Sequence, residues 1–147
     1  MSPRTAAITD QLIDQAAHMQ ATGETREEKR AQERHPYDAP AAIVLLSHEG
    51  QFSRPIAVRT MDISHGGMRV VSRNMIHPGA HGAVQLLRSN GQVAVVGVRV
   101  MHCRYAGEMQ HHTGLKFEPL AAKFTADRFL DSQGNPLITP QPTKRTR

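Results

Sequence analysis

Short apolar segments separated by turn signals fill residues 43–117, and this pattern constrains the fold more than any other feature of the chain. Six segments have the length and the aliphatic content of strands: Ile43–Ser47, Ile56–Ile63, Met68–Val71, Ala83–Leu87, Gln92–Tyr105 and Gly114–Phe117. The sequence Ser89-Asn90-Gly91 predicts a tight hairpin, because Asn-Gly supplies the positive φ that such turns need. A series of short, regularly spaced strands with few aromatic residues predicts a mainly β protein, a small six-stranded antiparallel barrel.

Two segments outside the strands have helical spacing. Between Ile8 and Gln20 the apolar residues form one stripe, which predicts an N-terminal helix that packs on the barrel or on a partner. Between Leu120 and Leu130 the spacing of the leucine and phenylalanine residues predicts a short C-terminal helix. From Asn135 to Arg147 the chain has three prolines and a basic end, which predicts a disordered tail.

The length of 147 residues suits one domain with tails. We predict an N-terminal helix and linker at 1–28, a barrel domain at 29–120, and the C-terminal helix with its basic tail at 121–147. Positive charge belongs to the last two parts, because residues 1–29 carry a net charge of −2, residues 30–120 carry +4 and residues 121–147 carry +3.

Composition excludes several classes of protein. A single cysteine, Cys103, excludes an internal disulfide framework and any cysteine-rich zinc module. The longest apolar runs, such as Ala41–Leu46, are far shorter than the ~20 residues that a membrane-spanning helix needs. The segment Met1–Gln20 lacks the apolar block of a signal peptide. We therefore expect a soluble cytoplasmic protein without membrane insertion.

Two local motifs carry the functional information. The first is Arg30-x-x-x-Arg34, ahead of the first strand, and the second is Asp62-x-Ser64-x-x-Gly67, between the second and third strands. Each also has a purely structural interpretation. The first lies in a charge run that solvent alone would accommodate, and Asp, Ser and Gly are common turn residues.

Together, the two motifs resemble those of the PilZ domain family, bacterial receptors for cyclic di-guanosine monophosphate (cyclic di-GMP). The string Asp62–Val70 and the closing Gly114–Phe117 are also similar to family sequence, and the resemblance covers about Lys29–Leu120. It implies a PilZ-type β-barrel that binds cyclic di-GMP, needs no other cofactor and has no enzymatic activity. The ligand residues it implies are Arg30, Arg34, Asp62, Ser64, Gly66 and Gly67, with Arg69 as an auxiliary contact.

The residue types suit that ligand. A guanidinium can form two hydrogen bonds with phosphate oxygens, or with O6 and N7 of guanine. Asp62 can accept from the guanine N1–H and N2–H₂ groups or hold an arginine, Ser64 offers a small donor, and Gly66 and Gly67 leave the backbone accessible. We expect ligand binding to order the Arg30–Arg34 segment and to signal to a protein partner. The resemblance allows one ligand molecule or a stacked pair, and a monomer or a homodimer.

Other functional classes receive less support. Among the nine histidines, His77 and His81 have i, i+4 spacing but enclose Pro78 and Gly79, which argues against a helical metal site, and Cys103 in an apolar strand suits a small core residue. His35 and His65 are neighbours of motif residues and candidates for ligand contact. No nucleophile elbow or phosphate loop is present in the sequence. Two alternatives stay open: a PilZ-like scaffold that binds a protein without nucleotide, and a nucleic-acid-binding barrel that would use Arg59, Arg69, Arg73, Arg88, Arg99 and Arg104.

Overall fold

The computed structural model describes residues 3–22 and 33–138. Within these ranges a helix precedes seven strands and a single 3-10 turn. In chain order the elements are α1 (Pro3–Thr22), β1 (His35–Pro36), β2 (Pro40–Leu46), β3 (Ile56–Ile63), β4 (Gly67–Ser72), β5 (His81–Leu87), β6 (Val93–Gly107), β7 (Gln110–Phe117) and the 3-10 turn Ala126–Phe129.

Six of the strands form a closed antiparallel barrel. They are hydrogen-bonded in the order β3-β2-β5-β6-β7-β4, and pairing between β3 and β4 closes the ring. The two-residue β1 adds to the edge of β3, with Pro36 opposite Asp62. The predicted six-stranded antiparallel barrel is therefore confirmed.

Alternation along β4 shows how the barrel separates its two faces. Met68 and Val70 are fully buried in the aliphatic core. The alternate residues Arg69 and Val71 lie on the outer face. Because all pairings are antiparallel and in defined register, the neighbours of Arg69 on adjacent strands share this outer face.

The N-terminal helix packs against the barrel, where Ile13 and Ala16 are buried in the main core cluster. Its polar side chains contact the loop between β5 and β6: Asp10 accepts from the backbone N–H of Ser89 at 3.1 Å, and Asp14 pairs with Arg88. The predicted helix is therefore confirmed, although it is longer than the apolar stripe indicated. No helix in the described part of the chain is long and apolar enough to cross a membrane.

The last strand begins earlier than the sequence predicts, at Gln110 and not at Gly114. A two-residue turn connects it to β6, and both turn residues, Glu108 and Met109, have positive φ (54° and 63°). Such values are typical of Gly and Asn, so Glu-Met gives no turn signal in the sequence.

The C-terminal segment is less helical than its spacing predicts, since only Ala126–Phe129 forms a 3-10 turn. Phe129 is buried in a second apolar cluster, against which Phe52 and Phe124 pack. A turn at Asp131 then reverses the chain, and Leu130 pairs with Pro136 in an isolated bridge. Residues 135–138 are thus ordered against the barrel, and the rest of the predicted tail lies outside the described residues.

Candidate ligand-binding site

The two sequence motifs meet at Asp62. Its Oδ1 accepts a hydrogen bond from Nη1 of Arg34 at 3.0 Å, and its Oδ2 accepts from Nε of Arg69 at 2.8 Å and also from Nη2 of Arg69. The Asp62 side chain is 11% exposed, whereas those of Arg34 and Arg69 are 40% and 41% exposed. Two guanidinium groups are thus fixed around one covered carboxylate, and both keep donors directed to solvent.

The hydrogen bonds from Arg69 have an electrostatic consequence. Bonding to the Asp62 carboxylate raises the pKa of Arg69 above its ordinary value, because the carboxylate stabilises the charged guanidinium. Arg69, expected as an auxiliary contact, is therefore a full member of this cluster.

A β-bulge places Asp62 on the outer face. Thr60 is opposite Val70 and faces the core, so strict alternation would also point Asp62 inward. The register shifts at Met61, and Asp62 becomes the cross-strand neighbour of Arg69. The extra residue of the bulge thus redirects the carboxylate toward the two arginines.

The chain after Arg34 is fixed by Tyr37. Its backbone N–H donates to the carbonyl of Met61 at 3.1 Å, and its hydroxyl donates to the carbonyl of Leu87 at 2.6 Å. Burial raises the pKa of Tyr37 to about 12, since the ionised phenolate would lose its hydration. This anchor holds β1 at the edge of β3, and Arg34 is therefore held close to Asp62.

The turn after Asp62 is closed by Ser64, whose backbone N–H donates to the carbonyl of Gly67 at 2.8 Å. A Cβ on Gly67 would lie 2.1 Å from the carbonyl oxygen of Leu115, so this position requires glycine for strand packing. Glycine is often found in turns because it adopts positive φ, but neither Gly66 nor Gly67 has positive φ. The requirement at Gly67 is close approach of β4 to β7.

A cavity of about 170 Å³ opens beside the turn. One side is formed by predicted site residues, which are Arg34, Ser64, Gly66 and Gly67. The opposite side comes from β6 and β7, and it is formed by residues that the motifs did not indicate: Met101, His102, Gly114 and Lys116. Gly114 and Lys116 belong to the closing Gly114–Phe117 string, but only the strand order shows that β7 lies between β4 and β6 and brings Met101 and His102 to the cavity.

Arg30 lies outside the described residues, so of the predicted set the structure brings together Arg34, Asp62, Ser64, Gly66, Gly67 and Arg69. His65 contacts the N-terminal helix, where its Nδ1 lies 3.0 Å from Oε1 of Gln15. His35 lies in β1.

The residues considered for other chemistry have structural surroundings. Cys103 is half-buried, and its Sγ accepts from the hydroxyl of Thr113 at 3.3 Å. Within residues 3–22 and 33–138, no group of three or more His, Cys, Asp and Glu side chains is placed to hold a metal ion.

A match to a known family agrees with the two sequence motifs. No curated protein matches the chain. Among solved structures, the chain is similar to the PilZ domain with c-di-GMP of YcgR from Escherichia coli, with 14% identity, a TM-score of 0.43, and coverage of 60% of this chain and 76% of that one. The pattern of the PilZ domain matches residues 24–128, and the chain therefore belongs to the PilZ domain family.

Proposed function

We propose that the protein is a cyclic di-GMP receptor that acts as an adaptor, without catalysing a reaction. In this proposal the ligand is bound by Arg30, Arg34, Asp62, Ser64, Gly66, Gly67 and Arg69. The observation that carries it is the cluster of Arg34, Asp62 and Arg69 beside an open cavity, in a chain of the PilZ family.

The charge of the outer face supports an anionic ligand. On β3, β4, β7 and β6 this face carries the carboxylate of Asp62 and, apart from Arg59, which pairs with Asp38, four cationic side chains: Arg69, Arg99, Arg104 and Lys116. Two phosphates of a cyclic dinucleotide would be attracted to it and could accept hydrogen bonds from exposed guanidinium groups.

Signalling would proceed through the segment that precedes β1. When Arg30 and Arg34 bind the ligand, the Arg30–Arg34 segment becomes ordered ahead of β1, and α1 changes its position relative to a protein partner. The proximity of α1 supports this route, because Gln15 contacts His65 inside the Asp62–Gly67 motif.

Calorimetric titration with cyclic di-GMP tests the binding proposal. We expect saturable binding by the parent protein and at least tenfold weaker binding by Arg30→Ala, Arg34→Ala and Asp62→Ala. Arg59→Ala is a matched control, because Arg59 lies on the same outer face but pairs with Asp38, outside the cavity. Absence of binding by the parent protein would overturn the proposal.

Hydrogen exchange with and without cyclic di-GMP tests the ordering step. We expect slower amide exchange across residues 24–36 when the ligand is bound. Unchanged exchange despite tight binding would exclude this mechanism and leave the binding proposal intact.

A nucleic-acid-binding function receives less support from the contacts of the arginines. Of the residues that could follow a phosphate backbone, Arg59 and Arg88 are each paired with a carboxylate away from the cavity. A gel-shift assay with duplex and single-stranded DNA separates this alternative, and we expect no shift at micromolar protein. For the scaffold alternative, a pull-down with and without cyclic di-GMP is informative, since a scaffold would capture its partner equally in both.

A further inference from the structure

We propose that His102 is a base-stacking residue of the ligand site, placed by Gly114 beneath it, so that the site extends from the motif strand across β7 to β6. This inference rests on the proposed binding of cyclic di-GMP. It concerns a residue that neither motif contains.

The strand register puts His102 in line with the ionic cluster. Asp62 is opposite Arg69, Arg69 is opposite Gly114, and Gly114 is opposite His102. The four residues form one row across β3, β4, β7 and β6 on the outer face. Adjacent strands lie about 4.8 Å apart, so the backbones at His102 and Arg69 are roughly 10 Å apart, and His102 lines the cavity.

A second β-bulge directs His102 into this row. Val100 is opposite Leu115 and is buried in the core, so strict alternation would turn the side chain of His102 inward as well. The register shifts at Met101, and His102 faces outward. A bulge thus redirects His102 on β6 as another redirects Asp62 on β3, and His102 lines the cavity together with Arg34, the partner of Asp62.

Gly114 determines where the imidazole ring lies. A Cβ at this position would be 2.3 Å from Nε2 of His102 and 2.5 Å from Cε1. The glycine therefore leaves space that the outer part of the ring occupies, and the ring rests against the backbone of β7. The other side of His102 is exposed at the cavity.

Three other histidines contribute side-chain contacts to the fold, whereas His102 in the described part of the chain, like His35, His48, His77 and His112, makes none of these contacts. His65 contacts Gln15, His81 pairs with Glu118, and His111 packs edge-on against Tyr105. In the described part of the chain, no side-chain hydrogen bond of His102 is present. A supported, exposed ring in a cavity is therefore available for a ligand.

The chemistry of the ring favours a base. Histidine is one of the flat side chains on which unstacked bases pack in nucleotide recognition. Among the residues that line this cavity, His102 has the one aromatic ring. A guanine lying on it would leave the phosphates near Arg34 and Lys116, which line the same cavity.

Titration of His102 variants with cyclic di-GMP tests this assignment. Loss of a stacking side chain weakens nucleotide binding by about tenfold or more, so we expect that loss for His102→Ala and for His102→Gln. His102→Phe should bind within about threefold of the parent, since it keeps a flat ring. His112→Ala is the matched control, because His112 lies on the outer face of β7 but does not line the cavity.

Gly114→Ala moves the ring without removing it and completes a double-mutant cycle. We expect Gly114→Ala to weaken binding in the parent but to have little further effect in the His102→Ala background. An equal effect in both backgrounds would show that Gly114 does not act through His102.

Two other outcomes also overturn the inference. If His102→Gln retains binding but His102→Phe loses it, His102 acts through a hydrogen bond and not through stacking. Parent-like binding by His102→Ala, with binding lost in Asp62→Ala, would reject His102 and leave the proposed function in place. If the parent protein does not bind cyclic di-GMP, the inference and the proposed function fail together.

Discussion

Arg34 donates to Asp62 at 3.0 Å although the two residues are 28 positions apart in the sequence. Arg34 belongs to one motif and Asp62 to the other, so this hydrogen bond joins the two. Pairing of β1 with β3 brings the two side chains together, because Pro36, two residues after Arg34, lies opposite Asp62. The geometry at this point therefore depends on the short β1 strand as much as on the motif residues.

Replacing Arg34 with lysine tests whether guanidinium geometry matters. We expect Arg34→Lys to weaken cyclic di-GMP binding by about tenfold, because lysine keeps the charge but cannot make two parallel hydrogen bonds. Titration at constant salt measures this effect, and Arg59→Lys should bind like the parent. Equal affinity for Arg34→Lys would show that charge alone is sufficient.

Two glycines should respond differently to alanine. In Gly67→Ala the new Cβ meets the backbone carbonyl of Leu115, so we expect the free energy of unfolding to fall by about 2 kcal/mol or more. In Gly114→Ala the obstacle is the His102 side chain, which can rotate, and the loss should stay below about 1 kcal/mol. Urea denaturation compares the two variants, and equal losses would contradict this distinction.

The packing of α1 should contribute measurably to stability. Ile13 is fully buried against the barrel, and truncation of a buried isoleucine to alanine costs about 2–5 kcal/mol. We expect that loss for Ile13→Ala in urea denaturation. Gln11→Ala is the control, because Gln11 is exposed on the same helix and should unfold like the parent. If Ile13→Ala has the same urea midpoint as the parent, the packing of α1 contributes little to the free energy of unfolding.

Stability should decrease at high pH because of Tyr37. Its pKa of about 12 in the folded protein exceeds the ordinary value of 10, so folding favours the neutral phenol. The resulting stabilisation is fully present below pH 10 and is lost as the pH rises through 12; it amounts to about 2–3 kcal/mol.

Chemical denaturation between pH 8 and pH 12 measures this loss. Tyr37→Phe should show a smaller decrease with pH than the parent, although it is less stable at neutral pH because it lacks the hydrogen bonds with Leu87. Tyr105→Phe, at an exposed position, should keep the slope of the parent. Identical slopes for all three proteins would contradict the role of Tyr37.

The sequence by itself predicted the strands, the barrel and the motif residues, because these depend on local signals. Alternating aliphatic residues, Asn90-Gly91 and the two spaced motifs are readable without knowledge of distant contacts. The turn at Glu108 and Met109 was missed, since its positive φ is imposed by pairing of β6 with β7 and not by residue type. The C-terminal helix is also shorter than its spacing suggested, because Phe129 is held in an apolar cluster on the barrel.

Only the tertiary structure decided which residues lie on the outer face, in and beside the cavity. Alternation along β3 and β6 would have pointed Asp62 and His102 into the core, and the bulges at Met61 and Met101 reverse both. A bulge arises from the register between two strands, and register is fixed by contacts distant in sequence. For the same reason, the position of Gly114 between Arg69 and His102 became visible only when the strand order was known.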